Sequence, residues 1–157
     1  MRILSAGILL YRNSDAGLQV WIAHMGGPFW ARKDAGAWSI PKGEYQQGED
    51  PLAAARREFA EEMGTPAPSA DYTLLGSFRQ SSGKTVTVFT AEADFRPEQI
   101  LSNTFPLEWP KGSGRIRDFP EVDGAGWFAL SDARTKLVRG QLPVLDSLLQ
   151  HLRSAGD

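Results

Sequence analysis

Residues 43–64 read GEYQQGEDPLAAARREFAEEMG and crowd Glu58, Glu61 and Glu62 onto little more than one helical turn, with Arg57 alongside. The local signals for a helix over 51–63 agree with one another. Asp50 suits the N-cap, Pro51 the first helical position, and Gly64 with Pro66 ends the segment. Leu52, Ala55, Phe59 and Met63 recur at offsets of three and four and form one apolar stripe. A turn of about 100° per residue puts Glu58, Glu61 and Glu62 on a common face beside that stripe. Glu58 and Glu62 are then a like-charge i,i+4 pair, which costs a helix about a few tenths of a kcal/mol. Two readings account for this. The face is a solvated acidic surface with an Arg57–Glu61 pair on it. Alternatively, it holds a hard cation, Mg²⁺ or Mn²⁺, which takes carboxylate oxygens and keeps several waters.

The totals narrow the field. A chain of 157 residues, 41% hydrophobic and 23% charged, can bury a core without disulfides or a structural metal, and one domain over 1–157 is expected. Seventeen basic against nineteen acidic residues give a net charge of −2, which argues against duplex nucleic acid as a partner. The chain has no cysteine, so disulfide frameworks, thiolate metal sites and cysteine nucleophiles are excluded. Arg2 precedes an apolar run that suggests a secretory signal. The run is short, no small-residue cleavage site follows, and charge returns at Arg12. A buried strand is the better reading, with the cytoplasm as the default address and no membrane partner.

Residues 3–12 and 18–25 are apolar and β-prone around the turn NSDAG, and read as two antiparallel strands. Residues 26–36, GGPFWARKDAG, form a loop, and AWSIP at 37–41 a short strand running into Lys42, with a turn opening at Gly43. Strands are expected at 72–79, 84–95 and 124–130, and a long loop over roughly 101–123. Helices follow at LSDARTKLV, with Ser131 as its cap, and at LPVLDSLLQHL. No internal repeat or dividing linker interrupts the chain.

Taken with its surroundings, the opening stretch resembles the signature of the Nudix hydrolases. That signature runs G, five residues, E, seven residues, R-E, an aliphatic or aromatic residue, any residue, E-E, any residue, G and an aliphatic. Gly43, Glu49, Arg57, Glu58, Phe59, Glu61, Glu62 and Gly64 fall in register, and only Thr65 departs, where an aliphatic is usual. The resemblance implies an α/β fold, a Nudix-type α/β/α sandwich with a mixed sheet between helices. It also implies an enzyme that hydrolyses a diphosphate linkage with Mg²⁺, Mn²⁺ being an alternative.

By the same resemblance, Glu58 and Glu62 bind the metal, Glu61 binds metal or assists the base, and the backbone carbonyl of Lys42 adds a ligand. Glu49 and Arg57 brace the loop and orient the catalytic glutamates, while Gly43 and Gly64 are structural. Helix geometry alone points Arg57 away from Glu62 and toward Glu61. The general base implied is Glu121, a loop glutamate six residues before Trp127, with Glu92 the second candidate. A solvated loop acid is the plainer reading of Glu121.

For substrate binding, the Lys42 ammonium can meet a phosphate as a point charge, and Arg115 and Arg117 can follow a polyphosphate chain. Trp30, Phe29 and Trp109 can stack on a base, or simply pack beneath their loops. His24 reads as a strand residue without catalytic duty, and no His–acid constellation activates a serine. The leading substrate is a small nucleotide, a nucleoside or dinucleoside polyphosphate, acted on by a monomer or homodimer. A diphosphoinositol polyphosphate would want a denser basic surface. A non-catalytic nucleotide-sensing domain is a further alternative, which the intact box disfavours.

Overall fold

The computed structural model describes residues 3–80 and 82–155, so Arg2 lies outside it. The chain runs β1 (Leu4–Ser14), β2 (Gly17–Met25), β3 (Trp38–Ser39), β4 (Lys42–Tyr45) and α1 (Pro51–Met63). Then follow β5 (Thr73–Arg79), β6 (Thr85–Glu92), β7 (Thr104–Glu108), β8 (Ile116–Pro120), β9 (Val122–Ala129), α2 (Leu130–Lys136) and α3 (Leu142–Ala155).

Seven strands form one mixed sheet with the path β3-β2-β1-β6-β5, in which β1 and β6 run parallel and the other pairings are antiparallel. One edge of β1 is shared. β2 follows it only from Tyr11 to Ser14, and β4 takes the same edge from Leu4 to Gly7. β9 pairs with the far edge of β2 from Gln19 to Met25. The sheet therefore splits, and β4 stands in the gap between β1 and the departing β2.

Alternation along β1 and β6 fills both faces. Ile8, Leu10, Trp21 and Ala91 pack with Ala55, Phe59 and Met63 of α1 on one side. Leu9, Val20, Ile22, Val86 and Val88 pack with Ala133 of α2 and Val144, Leu145 and Leu148 of α3 on the other. With helices on both sides of a mixed sheet, the fold is the expected α/β/α sandwich. Among the described residues no helix is long and apolar enough to cross a membrane.

The helix at 51–63 has the boundaries its sequence dictates. The Asp50 carboxylate accepts a 2.9 Å hydrogen bond from the Ala53 N–H, Pro51 occupies the first turn, and Gly64 closes the helix at φ +77°. The freed carbonyls of the last turn are taken by a later segment. Leu101 N–H donates to the Met63 carbonyl at 3.1 Å and Asn103 N–H to the Glu61 carbonyl at 2.8 Å.

Five expectations need correction. The long loop over 101–123 contains a two-stranded hairpin, β7 paired with β8 from Thr104–Pro120 to Glu108–Ile116. Pro106 and the mostly exposed, mixed residues of this hairpin hid its period-two pattern. The strand expected at 37–41 is only Trp38–Ser39, because Pro41 offers no N–H to a ladder and the chain crosses to β1 there. Gly43 consequently lies inside β4 rather than opening a turn. The late strand begins at Val122, and α2 starts directly from its end, with Ala129 at the cap position and Ser131 already inside the helix.

A side chain on Gly64 would meet the Leu101 carbonyl and Cβ as well as force an unfavourable φ. Gly64→Ala is therefore expected to lower stability by about 1–3 kcal/mol, read as a shift in the urea midpoint. An unshifted midpoint would mean that the end of α1 does not need its left-handed cap.

Candidate active site

The site lies where the sheet splits, and the ladder between β1 and β4 explains how. Ile8 N–H donates to the Pro41 carbonyl at 3.1 Å, so Ile8 opposes Pro41 as a hydrogen-bonded pair and Gly7 opposes Lys42 as a non-bonded one. In such a position both the N–H and the C=O of Lys42 point away from β1, into the gap. The Lys42 N–H there meets the Glu62 carboxylate at 3.3 Å.

Alternation sends the next position, Gly43, toward α1. A Cβ on Gly43 would collide with the carboxylate of Glu58, so the absence of a side chain lets that acid lie flat on the strand backbone. Glu58 is only 8% exposed as a result. The acidic face expected beside the apolar stripe thus overlaps the buried face of the helix, because β4 covers it.

Arg57 holds the outer side of the cluster. Its guanidinium donates to Glu58 at 2.8 Å and to the Glu49 carboxylate at 3.2 and 3.3 Å, and stands 3.7 Å from Glu61. Helix geometry pointed Arg57 to Glu61. The closest partner is instead the adjacent Glu58, whose carboxylate is pinned between strand and helix and within the arginine's reach.

Glu121 arrives from the other side of the gap with its backbone fixed at both ends. Its N–H donates to the Asn103 carbonyl and its C=O accepts from Gly26 N–H, each at 2.9 Å. Asn103 also binds the Glu61 carbonyl, so one residue joins the acidic helix to the candidate base. No sequence pattern marks Asn103 for this, since it acts through its backbone alone.

Electrostatics report the convergence. Burial raises the Glu62 carboxyl from its ordinary value to about 8 against the opposing Lys42, with Glu121 and Glu58 adding to the rise. Burial and then Glu61 raise Glu58, despite Arg57, and burial and then Glu61 also raise Glu121. Three carboxylates of α1 and one from the link between β8 and β9 therefore crowd one gap. Burial also holds the Lys42 ammonium below the ordinary lysine value, although Glu62 opposes it.

Among the described residues no three acidic or histidine side chains already enclose a metal position. Glu58 is drawn to Arg57 and Glu62 to the Lys42 N–H. The donor set fits a hard divalent cation nonetheless. It is all oxygen, and its charges repel one another when uncompensated.

Other predicted residues stand elsewhere. Glu92 pairs with Tyr11, at the far end of β1 from Lys42, and is outside the cluster. His24 bridges the Asp123 carboxylate at 2.6 Å and the Lys33 carbonyl at 2.7 Å, and so ties down the 26–36 loop. Trp30 is half-buried with the Lys33 ammonium 5.4 Å above its ring, while its neighbour Phe29 is exposed and meets Trp109. Arg115 and Arg117 are exposed on the hairpin, Arg117 lying over Phe119.

Comparison with known proteins agrees with this architecture. The NUDIX domain family model matches residues 1–148. The chain belongs to the NUDIX family. Membership and the intact box together give an enzyme of the pyrophosphohydrolase class. No curated protein matches the chain. Among solved structures, a C. elegans Ap4A hydrolase in a binary complex superposes with a TM-score of 0.66 at 20% identity, over 97% of this chain and 98% of that one. The NUDIX domain of Shewanella oneidensis NrtR, complexed with ADP ribose, gives 0.65 at 17% identity, over 97% and 89%. A MutT protein from Methanosarcina mazei gives 0.61 at 15%, over 97% and 96%. At such identities these likenesses speak to the fold alone.

The buried Glu62 sets a pH signature for the metal-free protein. The unfolded chain loses this proton in the ordinary carboxyl range, whereas the native state keeps it until about pH 8. Stability is therefore fully present at acid pH and falls as pH rises between those two values. With chelator present, the thermal midpoint should fall over this window in the native protein and fall less in Glu62→Gln. Equal slopes for the two proteins would contradict this burial.

Proposed function

We propose that the chain hydrolyses a diphosphate linkage in a nucleoside or dinucleoside polyphosphate, in a reaction that needs Mg²⁺ or Mn²⁺. The observation that carries this reading is the convergence of Glu58, Glu61, Glu62 and Glu121 on the gap beside Lys42. As a solvated surface such a group would spread apart. Here the acids are held together by burial, the strand backbone and Arg57.

Glu58 and Glu62, with the outward carbonyl of Lys42, are assigned as the residues that would hold the ion, and Glu61 borders them. A divalent ion bound there supplies neutralisation of phosphate oxygens and a more acidic water. Arg57 and Glu49 act as positioning residues, since Arg57 fixes the Glu58 carboxylate and Glu49 fixes Arg57. Glu121 is assigned as the general base. Its raised proton affinity and doubly anchored backbone suit it to take the proton of a water attacking phosphorus in line. The new bond joins the water oxygen to phosphorus, and the bridging oxygen leaves with the departing phosphate. The Lys42 ammonium, Arg115 and Arg117 are assigned to the phosphates.

One solved structure of similar fold is an Ap4A hydrolase, which makes a dinucleoside polyphosphate a substrate to try. The net charge of −2 disfavours a diphosphoinositol polyphosphate. A panel of nucleotides incubated with Mg²⁺ or Mn²⁺, with products separated by chromatography, tests the reading. In ¹⁸O-labelled water the labelled product identifies the attacked phosphorus. Glu121→Gln should lower kcat by about 10²- to 10⁴-fold. Glu62→Gln should lose both metal-dependent turnover and the rise in thermal midpoint that Mg²⁺ gives the native protein. Tight nucleotide binding with no metal-dependent turnover anywhere in the panel would mark a sensor and sink the hydrolase reading.

A further inference from the structure

A side chain, and not a strand, completes the backbone bonding just ahead of Lys42. β3 pairs on one edge with β2, through Ser39 with Ala23 and Trp38 with His24. On its other edge Val138 N–H donates to the Trp38 carbonyl at 2.9 Å, in a short parallel bridge. That bridge stops there, because the chain turns into a 3₁₀ helix, Arg139–Gln141. The next residue to need a partner is the buried Ile40, whose N–H would be an orphan, a state that folded chains rarely leave in a core. Gln141 supplies the missing rung. Its Oε1 accepts from Ile40 N–H at 2.8 Å, and its Nε2 donates to the Ser39 hydroxyl at 2.9 Å. Ser39 in turn donates to the Ile40 carbonyl at 2.8 Å. Gln141 is itself 1% exposed and directly precedes α3, whose Val144, Leu145 and Leu148 are sunk in the core.

This grip lies just before the carbonyl assigned to the metal. Only Pro41 stands between Ile40 and Lys42, with φ fixed by its ring, so the course of the chain at Ile40 passes on to Lys42. The Pro41 carbonyl is held separately, by Ile8 N–H at 3.1 Å. A segment held at one point pivots about it, whereas two holds from different elements fix its direction. Mg²⁺ takes its ligands near ideal octahedral positions, so a pivot of that carbonyl is felt as lost affinity.

Resting on the hydrolase reading above, we infer that Gln141 is a positioning residue for the metal site, acting through Ser39 and Ile40 on the outward carbonyl of Lys42. It touches neither metal nor substrate. The two faces of the sheet thus divide the work. α1 brings the carboxylates from one side, and the turn that leads into α3 sets the backbone oxygen from the other. Outer partners that orient a ligand in this way tune metal affinity without joining in the chemistry.

The test reads Mn²⁺ binding directly, from the electron paramagnetic resonance of the free ion, at a temperature where each protein is folded. Gln141→Met keeps the volume and removes both hydrogen bonds, and should raise the Mn²⁺ dissociation constant by about 10-fold or more. The same variant should need more Mg²⁺ for half-maximal turnover, with kcat at saturating Mg²⁺ little changed. Ser39→Ala, which removes the relay and leaves the Ile40 bond, should weaken Mn²⁺ by a smaller factor. Leu148→Ala opens a cavity in the same core, and should lower the urea midpoint while leaving Mn²⁺ binding as it is. A Gln141 that served stability alone would behave like Leu148. The positioning role is overturned, with the hydrolase reading standing, if Gln141→Met binds Mn²⁺ as tightly as the native protein does, or if Leu148→Ala loses as much affinity. Should the methionine variant fail to fold, unchanged binding in Ser39→Ala overturns the role in its place. A native protein that binds no Mn²⁺ would remove both readings together.

Discussion

The contact on which the rest of this structure depends is that of the Glu58 carboxylate with the bare backbone of Gly43. An ionisable group is pressed between a helix and a strand where a core would ordinarily put a methyl group. Burying a carboxylate is costly unless charge or hydrogen bonds compensate. Arg57 gives part of that compensation from outside, and the elevated proton affinities of Glu58, Glu62 and Glu121 show that it is incomplete. The remaining deficit is what a positive charge placed in the gap would relieve.

Everything nearby follows from keeping that contact in place. The apolar stripe of α1 fixes the helix on the sheet, with Phe59 and Met63 fully buried next to the acids. The strand face opposite is fixed by β1, whose edge is divided between β2 and β4. Because β2 leaves, the polar groups of Lys42 that point away from β1 meet no further strand, and the Glu62 carboxylate takes the N–H. An ordinary sheet would have covered those groups with another ladder. The split is thus the structural reason that backbone and side-chain oxygens can share one site.

Much of this was legible beforehand because it is local. Asp50, Pro51 and Gly64 bound the helix, and the spacing of Glu58, Glu61 and Glu62 follows from its pitch. The strands β1, β2, β5 and β6 were readable from their own sequence, whereas the sandwich was implied by the likeness of the 43–64 stretch to the Nudix signature. What could not be read were features set by partners distant in sequence. Glu58 is buried because β4 lies on it, a fact carried by a glycine 15 positions earlier. Arg57 turns to Glu58 for the same reason. The hairpin at Thr104–Pro120 escaped because its strands carry Pro106 and mixed polarity, and only its packing on the 26–36 loop gives it an inner face. The choice of Phe29 over Trp30 as the exposed ring is likewise a matter of which side of a loop meets the hairpin.

The shared edge of β1 has a further consequence. A strand paired along its whole length with one neighbour can slip by two residues and still keep its inward side chains inward. β1 is denied that freedom, because it satisfies β4 at one end, β2 at the other and β6 from Leu4 to Tyr11. A slip would have to break three ladders at once. The position of the acidic gap is therefore set by a strand that contributes no acid to it, and β1 works as the ruler against which the site is measured.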